Sequence, residues 1–144
     1  MLTNPYTGQT VEFVAENEEL LVIESSYRPG GAPAPAHLHP VQEERFTVLS
    51  GAVETVVGGE PRTLRAGDVL VIPAATPHQF GGHASEPGTV RWEVRPALRT
   101  REFLERMVAA LVASADPDGP GAQEAIAAFD PADYDDVFRL ASAA

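Results

Sequence analysis

Short strand-like runs separated by glycine and proline turn signals occupy most of this chain. They cover residues 11–14, 20–23, 44–49, 53–57, 62–64, 69–72, 78–80 and 90–95. The runs are rich in β-branched and aromatic residues, which favour strands. Gly58-Gly59 separates two of them by the two residues typical of a hairpin. Strands this short, with turns at this spacing, predict a β-sandwich or barrel between about residues 5 and 97.

The pattern changes to helical periodicity after Pro96. Phe103, Met107 and Leu111 recur at every fourth position within 98–113. This spacing places their side chains on one face and predicts an amphipathic helix that is capped at Thr100.

Two further helices are predicted downstream. A short one fits residues 122–129, and the pair Asp130-Pro131 looks like an N-cap followed by proline at the first helical position. That signal predicts a third helix over 132–141. We therefore expect a barrel over 1–97 and a helical extension over 98–144, packed on the barrel and not a separate domain.

Composition narrows the functional class. The chain has 144 residues, enough for one domain with a proper core, and its net charge of −11 argues against binding to nucleic acid or to an anionic membrane. It contains no cysteine, and all ten basic residues are arginine. Disulfides, thiolate ligands and lysine Schiff-base chemistry are therefore excluded. The start lacks the pattern of a signal peptide, so a cytoplasmic location is expected.

Three of the four histidines fall in two short segments that also hold a carboxylate. His37 and His39 are two residues apart, so on a strand both side chains leave the same face. His78 opens a separate run and adds a third imidazole. Together with Glu44 they form a sufficient ligand set for a divalent metal with open coordination positions.

Strand parity favours Glu44 over its neighbour Glu43 as the fourth ligand. Glu44 shares parity with Phe46 and Val48, whereas Glu43 shares the other parity with polar residues. An inward carboxylate among apolar neighbours is costly unless it is paired or bound to a metal. Glu43 is expected on the outer face.

The first of the two segments resembles the first conserved motif of the cupin superfamily. That motif is glycine, five residues, His-x-His, three or four residues, glutamate, six residues and glycine. Its positions here are Gly31, His37, His39, Glu44 and Gly51, with every interval satisfied.

The second segment resembles the second cupin motif, which is glycine, five residues, Pro-x-Gly, two residues, histidine, three residues and asparagine. Its positions here are Gly67, Pro73, Ala75, His78 and Gly82. Ala75 replaces the turn glycine and Gly82 replaces the asparagine. The ligand histidine is present, and the two motifs follow each other in the family's order.

The resemblance extends to small single-domain bacterial cupins of the RmlC-like type that carry a C-terminal helical extension. It implies an all-β double-stranded β-helix, or jelly-roll barrel, with His37, His39, Glu44 and His78 holding Fe, Mn, Ni or Zn. It also implies a homodimer, for which an exposed edge near 11–14 is consistent. No general base beyond these ligands is evident in the sequence.

Three functions are compatible with this resemblance. The first is an oxidoreductase of the dioxygenase type that acts on a small organic molecule. The second is a non-catalytic cupin that binds or senses a small molecule. The third is a Lewis-acid isomerase or lyase that uses the same metal.

Several other residues have open alternatives. On the last strand either Trp92 and Val94 face inward, giving an apolar cavity, or the charged set with Glu93 does; the apolar set is favoured. One of Gln79 and Phe80 is expected to line the cavity. Tyr27 is either an aromatic at the barrel edge or a substrate contact, and the first is favoured. His83 is either a solvated loop histidine or a residue with a role at the barrel mouth, and again the first is favoured.

Overall fold

The computed structural model describes residues 1–31 and 33–144. The proline- and glycine-rich run 28–35 predicts a turn and an irregular segment that leads to His37, and Ala32 of that run lies outside the described residues. The strands are β1 (Leu2–Thr3), β2 (Thr10–Glu16), β3 (Leu21–Tyr27), β4 (His37–Leu38), β5 (Glu43–Val57), β6 (Glu60–Arg65), β7 (Val69–Ile72), β8 (His78–Gly82), β9 (Gly88–Arg95) and β10 (Arg139–Leu140). The helices are α1 (Thr100–Ala115) and α2 (Ala122–Ala128), followed by a 3₁₀ turn at Pro131–Tyr134. The predicted jelly-roll barrel with a C-terminal helical extension is confirmed.

Strand β5 joins the two sheets of the barrel. Its first half pairs with β7 and β9, and its second half pairs with β6 and β8. The sequence predicted two strands with a break at Gly51, but the structure has one strand that bends there. Gly51 has a φ of +66°, and a Cβ at this position would lie 1.8 Å from the carbonyl oxygen of Pro87. Only glycine fits this bend, because both the conformation and the space exclude a side chain.

The core fills the space between the two sheets with alternate residues of each strand. The aromatic ring of Phe46 stacks on Phe80 at 4.2 Å and on Trp92 at 5.6 Å between ring centroids. Phe103 and Leu104 of α1 belong to the same buried cluster. The extension and the barrel therefore bury apolar side chains against each other.

Two predictions about the extension are wrong. Helix α1 has Arg99 as its N-cap without a side-chain cap, because the Thr100 hydroxyl accepts a hydrogen bond from Gln42 Nε2 at 2.8 Å instead. The third helix over 132–141 is only the 3₁₀ turn, capped by Asp130 as predicted. The chain then extends and β10 pairs with β4, since strand pairing outcompetes helix continuation here.

Ala75, the residue in place of the motif glycine, adopts the conformation that glycine would. Its φ is +61°, its side chain is exposed, and its amide donates to the carbonyl oxygen of His39 at 2.7 Å. Alanine in this left-handed region costs about 1–2 kcal/mol, whereas glycine costs about 0.5–1 kcal/mol in lost chain entropy.

We therefore expect Ala75→Gly to raise the free energy of unfolding by roughly 0.5–1 kcal/mol, measured by urea denaturation. The matched control is Ala74→Gly at the neighbouring exposed alanine, which has no positive φ. That variant should be destabilised, because glycine increases the conformational entropy of the unfolded chain and relieves no backbone strain in the folded one. Equal destabilisation of both variants would contradict the left-handed turn.

Candidate metal centre

Three imidazoles meet at one end of the barrel interior. His37 lies on β4 and pairs in register with His78 at the start of β8, and His39 follows β4 directly. One ring nitrogen from each histidine lies within 4.8 Å of the others. The structure thus brings together the three histidines that the sequence predicted as ligands.

Backbone carbonyls fix the orientation and tautomer of all three rings. The Nδ1 atoms of His37, His39 and His78 lie 2.7, 2.7 and 2.8 Å from the carbonyl oxygens of Pro35, Val137 and Thr76. A carbonyl can only accept a hydrogen bond, so each Nδ1 carries the proton. Each Nε2 of a neutral ring therefore presents a lone pair, which is the arrangement that metal-binding histidines have in proteins.

Glu44 lies against this group from β5, and its side chain is almost completely buried. Its Oε1 is 2.9 Å from Nε2 of His39 and 3.0 Å from Nε2 of His78. Its Oε2 accepts a hydrogen bond of 2.7 Å from the indole nitrogen of Trp92. The carboxylate is therefore held by one donor and turned toward two imidazoles.

The contacts between Glu44 Oε1 and the two imidazole nitrogens are short, but they are not satisfied hydrogen bonds. Among the described residues, neither His39 Nε2 nor Glu44 Oε1 has a hydrogen-bond partner, although both atoms are buried. Lone pairs of nitrogen and oxygen that face each other at 2.9 Å repel unless a proton or a cation lies between them. The donor set therefore fits a cation that these atoms coordinate together.

The pKa values follow from the same arrangement. Burial opposes ionisation of Glu44, but the neighbouring His39 and His78 outweigh it and lower the pKa of this carboxyl. Burial, followed by repulsion from His78, lowers the pKa of His37 from 6.5 to about 4. Burial also acts against protonation of His39, yet the Glu44 carboxylate raises its pKa. His37 is thus a neutral donor at physiological pH.

The group faces a cavity of about 150 Å³, here called the inner chamber. Its walls are mostly apolar and include the rings of Phe46, Phe80, Trp92, Phe103 and Phe138. Among the described residues, the only ionisable side chains in its lining are the three histidines, Glu44 and Tyr27. Burial raises the pKa of Tyr27, so its phenol stays neutral.

The other candidate residues divide between the interior and the surface. Trp92 and Val94 face inward as favoured, while Glu93 pairs with Arg91 on the outer face at 3.2 Å. Phe80 lines the inner chamber. The remaining outcomes concern three residues: Gln79 points away from the chamber, Glu43 is exposed and His83 lies outside the site.

The sequence did not reveal three contacts that shape the site. The sequence indicates a core or cavity-lining position for Trp92, but it does not show that the indole donates a hydrogen bond to Glu44. The carbonyl of Val137 and the ring of Phe138, which stacks on His37 at 5.0 Å, come from a segment that was predicted as helix. One signal for the Trp92 contact was available in the sequence. Trp92 is the only tryptophan, and strand alternation places it on the inward face of its strand, as it does Glu44.

Gly82, which replaces the asparagine of the second motif, has a physical reason. A Cβ at this position would lie 2.4 Å from the carbonyl oxygen of Arg28. The close approach of the loop before Gly31 therefore excludes any side chain here.

Residues 23–92 match the model of the cupin domain family, and this segment contains all four predicted ligands. The chain belongs to the cupin superfamily. No curated protein matches this cupin in sequence. The family match ends before the helical extension, which is therefore an addition to the barrel.

Solved structures resemble this cupin over its barrel-sized portion. KdgF from Halomonas sp. is 26% identical with a TM-score of 0.56, and the match covers 64% of this chain and 80% of KdgF. A Klebsiella pneumoniae protein with a double-stranded β-helix domain is 25% identical with a TM-score of 0.58, over 67% of this chain and 85% of its own. The DMSP lyase DddQ from Ruegeria pomeroyi is 28% identical with a TM-score of 0.51, over 58% of this cupin and 42% of DddQ.

Neither helix has the length and apolar character that crossing a bilayer demands, within residues 1–31 and 33–144. The cytoplasmic location stays a prediction.

In protein treated with a chelator, the ring protons of His37 should titrate with a midpoint near pH 4 and those of His39 above pH 6.5, measured by NMR. The unfolded chain binds the His37 proton at its ordinary pKa and the folded chain only near pH 4. The contribution of His37 to the free energy of unfolding therefore decreases as the pH falls from 6.5 to about 4. A His37 midpoint near 6.5 would contradict its buried, neutral state.

Proposed function

We propose that this cupin binds one divalent metal ion through His37, His39, His78 and Glu44. The observation that carries the proposal is a pair of buried atoms, His39 Nε2 and Glu44 Oε1, that lack a hydrogen-bond partner in the described part of the chain and lie beside the imidazoles of His37 and His78. Imidazole and carboxylate ligands without thiolate suit iron, manganese, nickel and zinc, and the donor set alone does not choose among them.

The expected result for metal-free protein is one divalent ion bound per chain, measured by elemental analysis after loading with Mn²⁺, Fe²⁺, Ni²⁺ or Zn²⁺. Glu44→Gln and His78→Ala should each weaken binding at least tenfold, because each removes a donor from the set. Glu43→Gln is the matched control, since it changes an exposed carboxylate one residue away.

Equal affinity of Glu44→Gln and Glu43→Gln would remove Glu44 from the ligand set. Stoichiometric metal that survives in His78→Ala would contradict the site as a whole.

We propose further that the metal serves an oxidoreductase of the dioxygenase type. The apolar inner chamber supports this reaction, because the described residues that line it offer no carboxylate, imidazole or amine beyond the proposed ligands. A redox-active metal would supply the site where an enol or catechol and dioxygen react. Both oxygen atoms enter the organic product, so the reaction needs no external reductant.

The chain's own residues would position the substrate and exclude water. Phe46 and Phe80, stacked at 4.2 Å, offer flat apolar surfaces to a planar substrate. Tyr27 accepts a hydrogen bond from Gln9 Nε2 at 3.1 Å, which orients its phenol at the chamber wall. Phe138 covers His37 from the side of the extension.

Oxygen consumption with a panel of enols and catechols tests this reaction. The Fe²⁺-loaded or Mn²⁺-loaded protein should consume about one O₂ per molecule of product, and Glu44→Gln should lose most of this activity while Glu43→Gln keeps it. Metal binding without oxygen uptake on any member of the panel would contradict the oxidoreductase and leave the binding module.

A Lewis-acid lyase or isomerase is the second candidate, because DddQ, at 28% identity, is a lyase. In that case the metal would polarise a carbonyl or carboxylate. Of the described residues that line the inner chamber, Tyr27 is the one ionisable group beyond the proposed ligands, and it would be the candidate for proton exchange. Product formation without oxygen, with Zn²⁺ as effective as Fe²⁺, would favour this reading.

The domain organisation and the homodimer are also proposals. The shared core of α1 and the barrel supports a single unit over 1–144. The edge of β2 supports a dimer. Strand β1 pairs only with Thr10 and Val11, and Val14 further along the same strand is exposed.

A further inference from the structure

A second cavity adjoins the inner chamber and is lined from both the barrel and the extension. This outer chamber has a volume of about 430 Å³. The two chambers share nine lining residues, among them Tyr27, Phe80, Phe103, Met107 and Phe138. A ligand that reaches the histidines can therefore continue along the same walls into the outer chamber.

The volumes indicate that the two chambers hold one ligand together. Protein sites for small molecules usually measure about 300–1,000 Å³. The inner chamber, at about 150 Å³, accommodates only the reacting end of a molecule, whereas the outer chamber lies within the usual range. The body of the ligand is thus expected in the outer chamber, among apolar side chains.

Arg28 is the only charged residue in the lining of the outer chamber among the described residues. Its neighbours there are apolar or carry hydrogen bonds already, such as Gln9 to Ser25 and Tyr27. The protein has 21 acidic residues, yet the described lining of this cavity includes none of them. A single cation at the rim of an apolar cavity is suited to an anionic group on an otherwise apolar ligand.

Arg28 is exposed, and within residues 1–31 and 33–144 its guanidinium has no carboxylate partner. Six of the ten arginines pair with carboxylates within 4.0 Å, and Arg28 is not among them in the described part of the chain. Its side chain crosses Gly8 so closely that a Cβ there would lie 2.5 Å from Arg28 Cδ and Nε. The glycine thus makes room for the side chain beside the cavity.

We propose that the two chambers bind an amphipathic organic acid: its apolar body in the outer chamber, its anionic group at Arg28 and its opposite end in the inner chamber. The identity of that opposite end as the reacting end rests on the proposed function. Recognition of the anion does not, because it depends on Arg28 and the apolar walls alone.

The test uses 4-phenylbutanoate and its neutral analogue 4-phenylbutan-1-ol as probes. Binding to metal-free and to metal-loaded protein is measured by calorimetry and by the fluorescence of Trp92, the only tryptophan, which lines the inner chamber. The wild-type protein should bind the acid about tenfold more tightly than the alcohol in both forms. This preference should shrink as the salt concentration rises.

Arg28→Gln should lose the preference by weakening the acid about tenfold while binding of the alcohol stays unchanged. Arg45→Gln is the matched control, an exposed arginine on the outer face of β5, and should keep the preference. Failure to bind either probe, equal binding of the two, or a preference that persists in Arg28→Gln would each overturn the proposal. If the protein prefers the acid but takes up no metal on loading, this inference stands and the proposed function is refuted.

Discussion

The buried carboxylate of Glu44 is the constraint on which the rest of this structure depends. It is 1% exposed, so its charge requires compensation from within the barrel. The fold supplies one hydrogen bond from Trp92 and the edges of two imidazoles. The imidazoles are themselves fixed by carbonyl oxygens, and the described residues offer no other positive charge in the lining of the inner chamber, so the carboxylate requires a cation or a shared proton.

The extension takes part in the site through three contacts of one short segment. Val137 supplies the carbonyl that orients His39, Phe138 stacks on His37, and β10 pairs with β4. Phe138 also packs on Phe103 of α1 at 4.8 Å between ring centroids. The C-terminal segment therefore couples the positions of His37 and His39, two of the proposed metal ligands, to the packing of the helices, and it forms one wall of both chambers.

The sequence revealed the parts of this architecture that depend on local pattern. Strand periodicity placed the barrel, and parity selected Glu44 and Trp92 as inward residues, because alternation follows from strand geometry alone. The helix prediction for 132–141 was wrong, because part of this segment pairs with β4. The paired residues are about a hundred positions apart in the chain, and local helix signals do not report such contacts. The bend at Gly51 was read as a strand end for a related reason: a glycine looks the same in sequence whether a strand stops or turns.

A crystal structure of the Zn²⁺-loaded protein, with anomalous diffraction recorded at the metal edge, tests the central claim most directly. The account predicts one anomalous peak per chain, bonded to Nε2 of His37, His39 and His78 and to a carboxylate oxygen of Glu44 at about 2.0–2.2 Å. A peak at any other site, or a bound metal from which Glu44 stays more than about 3 Å away, would contradict it.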